Sequence, residues 1–91
     1  MSKIRIEAFV SIPPCSGGVA VKRLLKDVEA EYGDQVEIVY HTGRGDTAWE
    51  EYAITNAPGL VIGDLVKFVG VAPSKEGMLS ALLEAGLQLP G

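Results

Sequence analysis

Ala57-Pro58-Gly59-Leu60-Val61-Ile62-Gly63-Asp64-Leu65-Val66-Lys67-Phe68-Val69 reads as a break followed by a β-hairpin. Pro58 has no backbone N–H and a fixed φ, so neither a helix nor a central strand runs through it. Leu60 to Ile62 and Leu65 to Val69 are short apolar runs of strand character, separated by Gly63-Asp64, a pair suited to the positive φ of a tight hairpin turn. Downstream, Pro73 and Ser74 open a last helix with Met78, Leu79, Leu82 and Leu83 as its buried stripe. Gly86 ends that helix, and 87–91 is expected to be a loose tail.

Upstream, Lys3 to Ser11 alternates, with Ile4, Ile6, Ala8 and Val10 on one side and Arg5, Glu7 and Phe9 on the other. That is a strand, closed by Pro13 and Pro14. Ser16 is a candidate N-cap for a helix in which Val21, Leu24, Leu25, Val28 and Tyr32 recur at helical spacing. Lys22, Arg23, Lys26, Glu29 and Glu31 cover its outer face, and Gly33 stops it. Val36, Ile38 and Tyr40 give a second alternating strand ending near His41, expected to be a surface residue at the strand end. Thr42-Gly43-Arg44-Gly45 is a loop, and Asp46 or Thr47 caps a short helix reaching to about Asn56, in which Trp49 and Tyr52 pack on the sheet. The order is β-α-β-α-β-β-α. The first half is a βαβ unit with parallel strands and a right-handed crossover. The expectation is an α/β fold, a four-stranded mixed sheet with helices on both faces, in a single domain over 1–91.

Composition narrows the function classes. Hydrophobic residues make up 47% and charged residues 22% of the chain, an ordinary globular balance. The net charge of −4 disfavours nucleic acid and anionic membrane as partners. No apolar run approaches the roughly 20 residues of a membrane span. A single cysteine excludes an intrachain disulfide and fits a reducing cytoplasm, the expected location. One Cys and one His fall short of a metal set within one chain, so neither metal nor other cofactor is expected.

Cys15 carries the chemistry. It stands in Ile12-Pro13-Pro14-Cys15-Ser16-Gly17-Gly18, at the turn from first strand to first helix. Helix-start amides and the positive dipole end favour a thiolate, the nucleophilic form. Gly17 and Gly18 lack a β-carbon, so a second chain or a bulky adduct can approach the sulfur. No Asp, Glu, Lys or Arg occurs from Ala8 to Val21 or from Tyr52 to Gly63. A neutral rim of this kind suits a protein strand or apolar substrate.

The element order, the cysteine at the first strand-to-helix turn and the proline before the third strand together resemble the thioredoxin fold. The Ala57 to Val66 segment and Val69-Gly70-Val71-Ala72-Pro73-Ser74-Lys75-Glu76 carry the likeness furthest. Within that fold, the chain looks most like the small thioredoxin/glutaredoxin-like redox-active disulfide proteins. The resemblance implies that Cys15 is the attacking nucleophile, Pro58 the cis-proline beside it, and Ala57 the residue presenting its backbone to a substrate. It also implies a substrate-facing turn of Pro14, Ser16, Gly17 and Gly18. Gly18 replaces the family's resolving cysteine and Pro14 its tryptophan, so dithiol cycling within one chain is excluded.

Two functional expectations follow. One is a monothiol thiol-disulfide oxidoreductase, in which the Cys15 thiolate forms a mixed disulfide with a protein or low-molecular-weight thiol partner that another thiol must release. The other is a non-catalytic protein-binding module that kept the groove and lost the dithiol. A cluster bridging two chains through Cys15 is the weakest alternative, since the glutathione-binding signatures of monothiol glutaredoxins are missing. Neither the partner nor the oligomeric state is legible.

Overall fold

The computed structural model describes residues 3–11, 15–42 and 47–89. Its elements are β1 (Ile4–Phe9), α1 (Ser16–Tyr32), β2 (Val36–His41), α2 (Ala48–Glu51), β3 (Gly59–Ile62), β4 (Val66–Val69) and α3 (Lys75–Glu84). The four strands form one sheet in the order β2-β1-β3-β4. β1 and β2 are parallel, with Ile4 opposite Val36 and Phe9 opposite His41. The β1–β3 and β3–β4 pairs are antiparallel, so the sheet is mixed as expected.

Strand alternation divides the core in two. Ile6 and Ala8 of β1 and Leu60 and Ile62 of β3 face α1 and α3, where they meet Val21, Leu24, Leu25, Val28, Met78, Ala81 and Leu82. Phe9 and Val61 point the other way and pack with Ala48, Ile54, Trp49 and Tyr52 around α2. Both faces of β1 are therefore buried. The Arg5–Glu7–Phe9 side, read from sequence only as the opposite side of the strand, lies largely under α2.

Several local expectations are corrected. The N-cap of α1 is Cys15 and not Ser16, because Cys15 has the extended backbone and its carbonyl accepts the first helical bond from Val19 N, at 3.0 Å. α2 ends at Glu51 rather than near Asn56: Ala53 takes φ +55, which turns the chain and lets Ile54 N reach Trp49 O at 2.8 Å. β4 starts at Val66, because Gly63 and Asp64 both adopt φ +58 and Leu65 is left in the turn. Leu83 is exposed, and Ala81 takes its place in the buried stripe of α3.

Ser74 caps α3 as its position suggested, with its hydroxyl accepting from Gly77 N at 3.0 Å. The tail is not loose through its first residues. Leu87 is buried in the larger core, with its N–H bonded to Leu82 O. Gln88 exchanges two hydrogen bonds of 2.9 Å with the Gln35 side chain, which ties the tail to the turn before β2. Among the described residues, no helix is long and apolar enough to cross a membrane.

Candidate functional site

β1 delivers the chain to the site, and α1 leaves from it. Cys15 is an exposed free thiol at this junction, in the N-cap position. Its side chain makes no direct capping hydrogen bond. The backbone of Gly18 above all, with a lesser contribution from Gly17, nonetheless favours the anion and holds the Cys15 pKa below the ordinary thiol value, although desolvation acts the other way. The Ser11 hydroxyl, two residues past the end of β1, also favours the thiolate. Ser11 is not among the residues that the sequence pattern singles out. Its only signal was a hydroxyl interrupting an apolar run four residues before the cysteine.

Pro58 meets this turn from the other side. It is buried, and the Ala57–Pro58 peptide bond is cis. Its carbonyl accepts from Gly70 N at 2.8 Å, which fastens the loop to the segment after β4. A β-carbon on Gly17 would stand 2.9 Å from Pro58 Cδ, 3.0 Å from Cγ and 3.9 Å from Cys15 Sγ. Only glycine leaves room for the helix start, the proline ring and the sulfur to converge in this way. Ser16 is exposed as the first helical residue, Gly18 is buried, and Ala57 is half-buried beside Pro58. Pro14 lies outside the described residues, as do Arg44, Gly45 and Asp46.

A second polar cluster, not anticipated from local pattern, sits on the α2 face of the sheet. Glu7 is buried; His41 Nε2 lies 3.0 Å from its Oε1, and Arg5 Nη2 lies 3.6 Å from the same oxygen. Tyr52 hydrogen-bonds Glu7 through its hydroxyl. Burial acts to raise the Glu7 pKa, but the bonds from Tyr52 and His41 and the charge of Arg5 outweigh it, leaving the carboxyl below its ordinary value. The same bond, with burial and the charges of Glu7 and Asp64, pushes the Tyr52 phenol well up. His41 is thus no surface residue. Its ring stacks on Phe9 with centroids 4.6 Å apart, and Trp49 meets Phe9 edge-on at 5.2 Å. The missed signal was Glu7 on the inward side of a strand that α2 covers. Among the described residues, no group of three or more His, Cys, Asp or Glu is placed to hold a metal ion.

The chain is 39% identical over 83 residues to a thioredoxin of Methanocaldococcus jannaschii, covering 90% of this chain and 95% of that protein. The chain belongs to the thioredoxin family. No family model matches it. The solution structure of reduced MJ0307 is 36% identical, with a TM-score of 0.58 over 92% of this chain and 98% of that one. The thioredoxin Mala s 13 of Malassezia sympodialis superimposes with a TM-score of 0.70 at 16% identity, over 92% of this chain and 76% of that one. A malarial protein gives 0.79 at 8% identity, over 94% of this chain and all of that one. These last two likenesses concern the fold alone. Within the family's fold, this chain sets a single thiol at the head of α1, with Gly18 three residues on.

Proposed function

We propose that the protein performs thiol–disulfide exchange through Cys15 alone. The supporting observation is an exposed thiol at a helix start, with the backbone of Gly18 and Gly17 favouring its anion and Pro58 packed on the adjoining glycine. A thiolate favoured in this way attacks a disulfide sulfur: the new bond joins Cys15 Sγ to that sulfur, and the second sulfur departs as a thiolate. Ala57 and Pro58 form the edge against which the partner's chain lies, with Ser16 and Gly17 opposite. Gly18 cannot resolve the adduct, so an external thiol, protein or small molecule, attacks it and frees Cys15. The cycle thus runs between two partners, where a dithiol relative completes it within one chain.

Trapping tests this reading. Wild-type protein incubated with a disulfide-bearing partner and quenched in acid is expected to give a covalent adduct that dithiothreitol releases. Cys15→Ser cannot form it. Retention of the same partner by the Cys15→Ser protein at undiminished affinity, with no adduct in the wild type, would show a binding module in place of a thiol reagent.

A further inference from the structure

The cations of α1 lie mid-helix and come before its acids along the chain. Lys22, Arg23 and Lys26 precede Asp27, Glu29 and Glu31, and all six are exposed. Helix stability would favour the reverse, since the macrodipole rewards acids in the first turn and bases in the last. Here the first turn has no acid and the last turn no base. Among the described residues, the salt bridges are those of Arg5 and His41 with Glu7, so the three cations of α1 are not neutralised by one.

Their placement relative to the thiol is regular. Cys15, Val19, Lys22 and Lys26 fall at i, i+4, i+7 and i+11, a single face of the helix. Val19 is 40% exposed, an apolar step between sulfur and cations. Lys22 and Lys26, with Tyr40 and Thr42 at the end of β2, line an open recess of about 240 Å³. Tyr40 itself is half-exposed, and Lys22 and Lys26 bring two cations to this mostly apolar recess. One acid, Glu29, acts electrostatically on Tyr40, and it lies a turn beyond Lys26.

We infer that this stripe binds an acidic segment of the partner polypeptide that exchanges with Cys15. The inference rests on the thiol exchange proposed above and names the class of partner. At ~1.5 Å rise per residue, Lys22 and Lys26 stand about 10 and 16 Å along the axis from Cys15. An extended chain covers ~3.3–3.6 Å per residue, so the matching carboxylates sit about three to five residues from the partner's reacting cysteine. A small thiol carrying its own carboxylate is too short for that span. A polyanion such as RNA would meet an otherwise acidic molecule of net charge −4.

The test uses the whole protein and synthetic peptides with one cysteine activated as its thiopyridyl disulfide. Attack by Cys15 joins protein to peptide and releases pyridinethione, which is read by absorbance. One peptide carries glutamates three to five residues from the cysteine; its twin carries serines. Wild type is expected to react roughly fivefold faster with the acidic peptide, the effect of two exposed ion pairs. The ratio should fall to about one in 0.5 M salt and to one or below in Lys22→Glu/Lys26→Glu, whose substitutions lie on an exposed face and can be checked for folding by circular dichroism. Equal rates for both peptides in wild type would overturn the inference, as would a preference that survives the double substitution. RNA binding that depends on Lys22 and Lys26, without a peptide preference, would also overturn it. Failure of wild type to react with either peptide or with neutral 2-hydroxyethyl disulfide would instead overturn the exchange reading beneath it, and this inference with it.

Discussion

Replacing Gly17 with alanine sets two known effects against each other at the centre of the site. In the first turn of α1, alanine in place of glycine stabilises a helix by about 0.5–1 kcal/mol, because the unfolded chain loses less freedom on folding. The new methyl, however, would stand 2.9 and 3.0 Å from two ring carbons of Pro58, where carbon atoms ordinarily rest at ~3.5–4.0 Å. Pro58 is buried, and its ring cannot rotate aside as a long side chain would. Its carbonyl is also tied to Gly70, so relief requires moving the loop or the helix start. Overpacking of this kind costs about 1–3 kcal/mol. The net expectation is a loss of about 1 kcal/mol, or roughly 4–8 °C in Tm for a domain of this size. Equilibrium urea unfolding followed by Trp49 fluorescence measures it. A Gly17→Ala protein more stable than wild type by 0.5–1 kcal/mol would refute the claim that Pro58 and α1 are in contact at this residue.

Two further expectations concern the frame around the site. Glu7→Gln should cost about 1–3 kcal/mol at pH 7, the range for disturbing a buried hydrogen-bonded acceptor. Because the folded-state pKa of Glu7 lies below its unfolded value, its contribution is full above the unfolded value of about 4.3 and is lost as pH falls through the folded value. The stability gap between wild type and Glu7→Gln should therefore narrow on acidification below about pH 4, and a gap that widens there would contradict this account of Glu7. Leu87→Ala should cost about 2–4 kcal/mol by urea unfolding, as for a leucine in the core. A loss under 0.5 kcal/mol would mean that the tail does not pack.

The sequence conveyed the parts that local patterns determine. The alternation of Lys3 to Ser11, the spacing of Val21 to Val28 and the Gly63-Asp64 turn are each read within a few residues, and each forms where expected. The position of Cys15 at a strand-to-helix turn was legible for the same reason. What stayed hidden depends on partners distant in the chain. Glu7 looks like a solvent-side residue until α2 covers that face with Trp49 and Tyr52. His41 looks like a strand end until its register opposite Phe9 brings it to Glu7. Leu87 reads as tail because the core that receives it is assembled from β1, α1, β2, β3 and α3. The contact of Gly17 with Pro58 joins residues 41 positions apart, and only the folded sheet brings them together.

If the fold makes the Cys15 thiol acidic, the rate of its alkylation by iodoacetamide as a function of pH will show it. With one cysteine in the chain, the profile reports that sulfur alone. The expected profile has a single midpoint below the value of about 8.5 for a free cysteine, because the backbone of Gly18 and Gly17 favours the anion. A midpoint at or above that of free cysteine would contradict it.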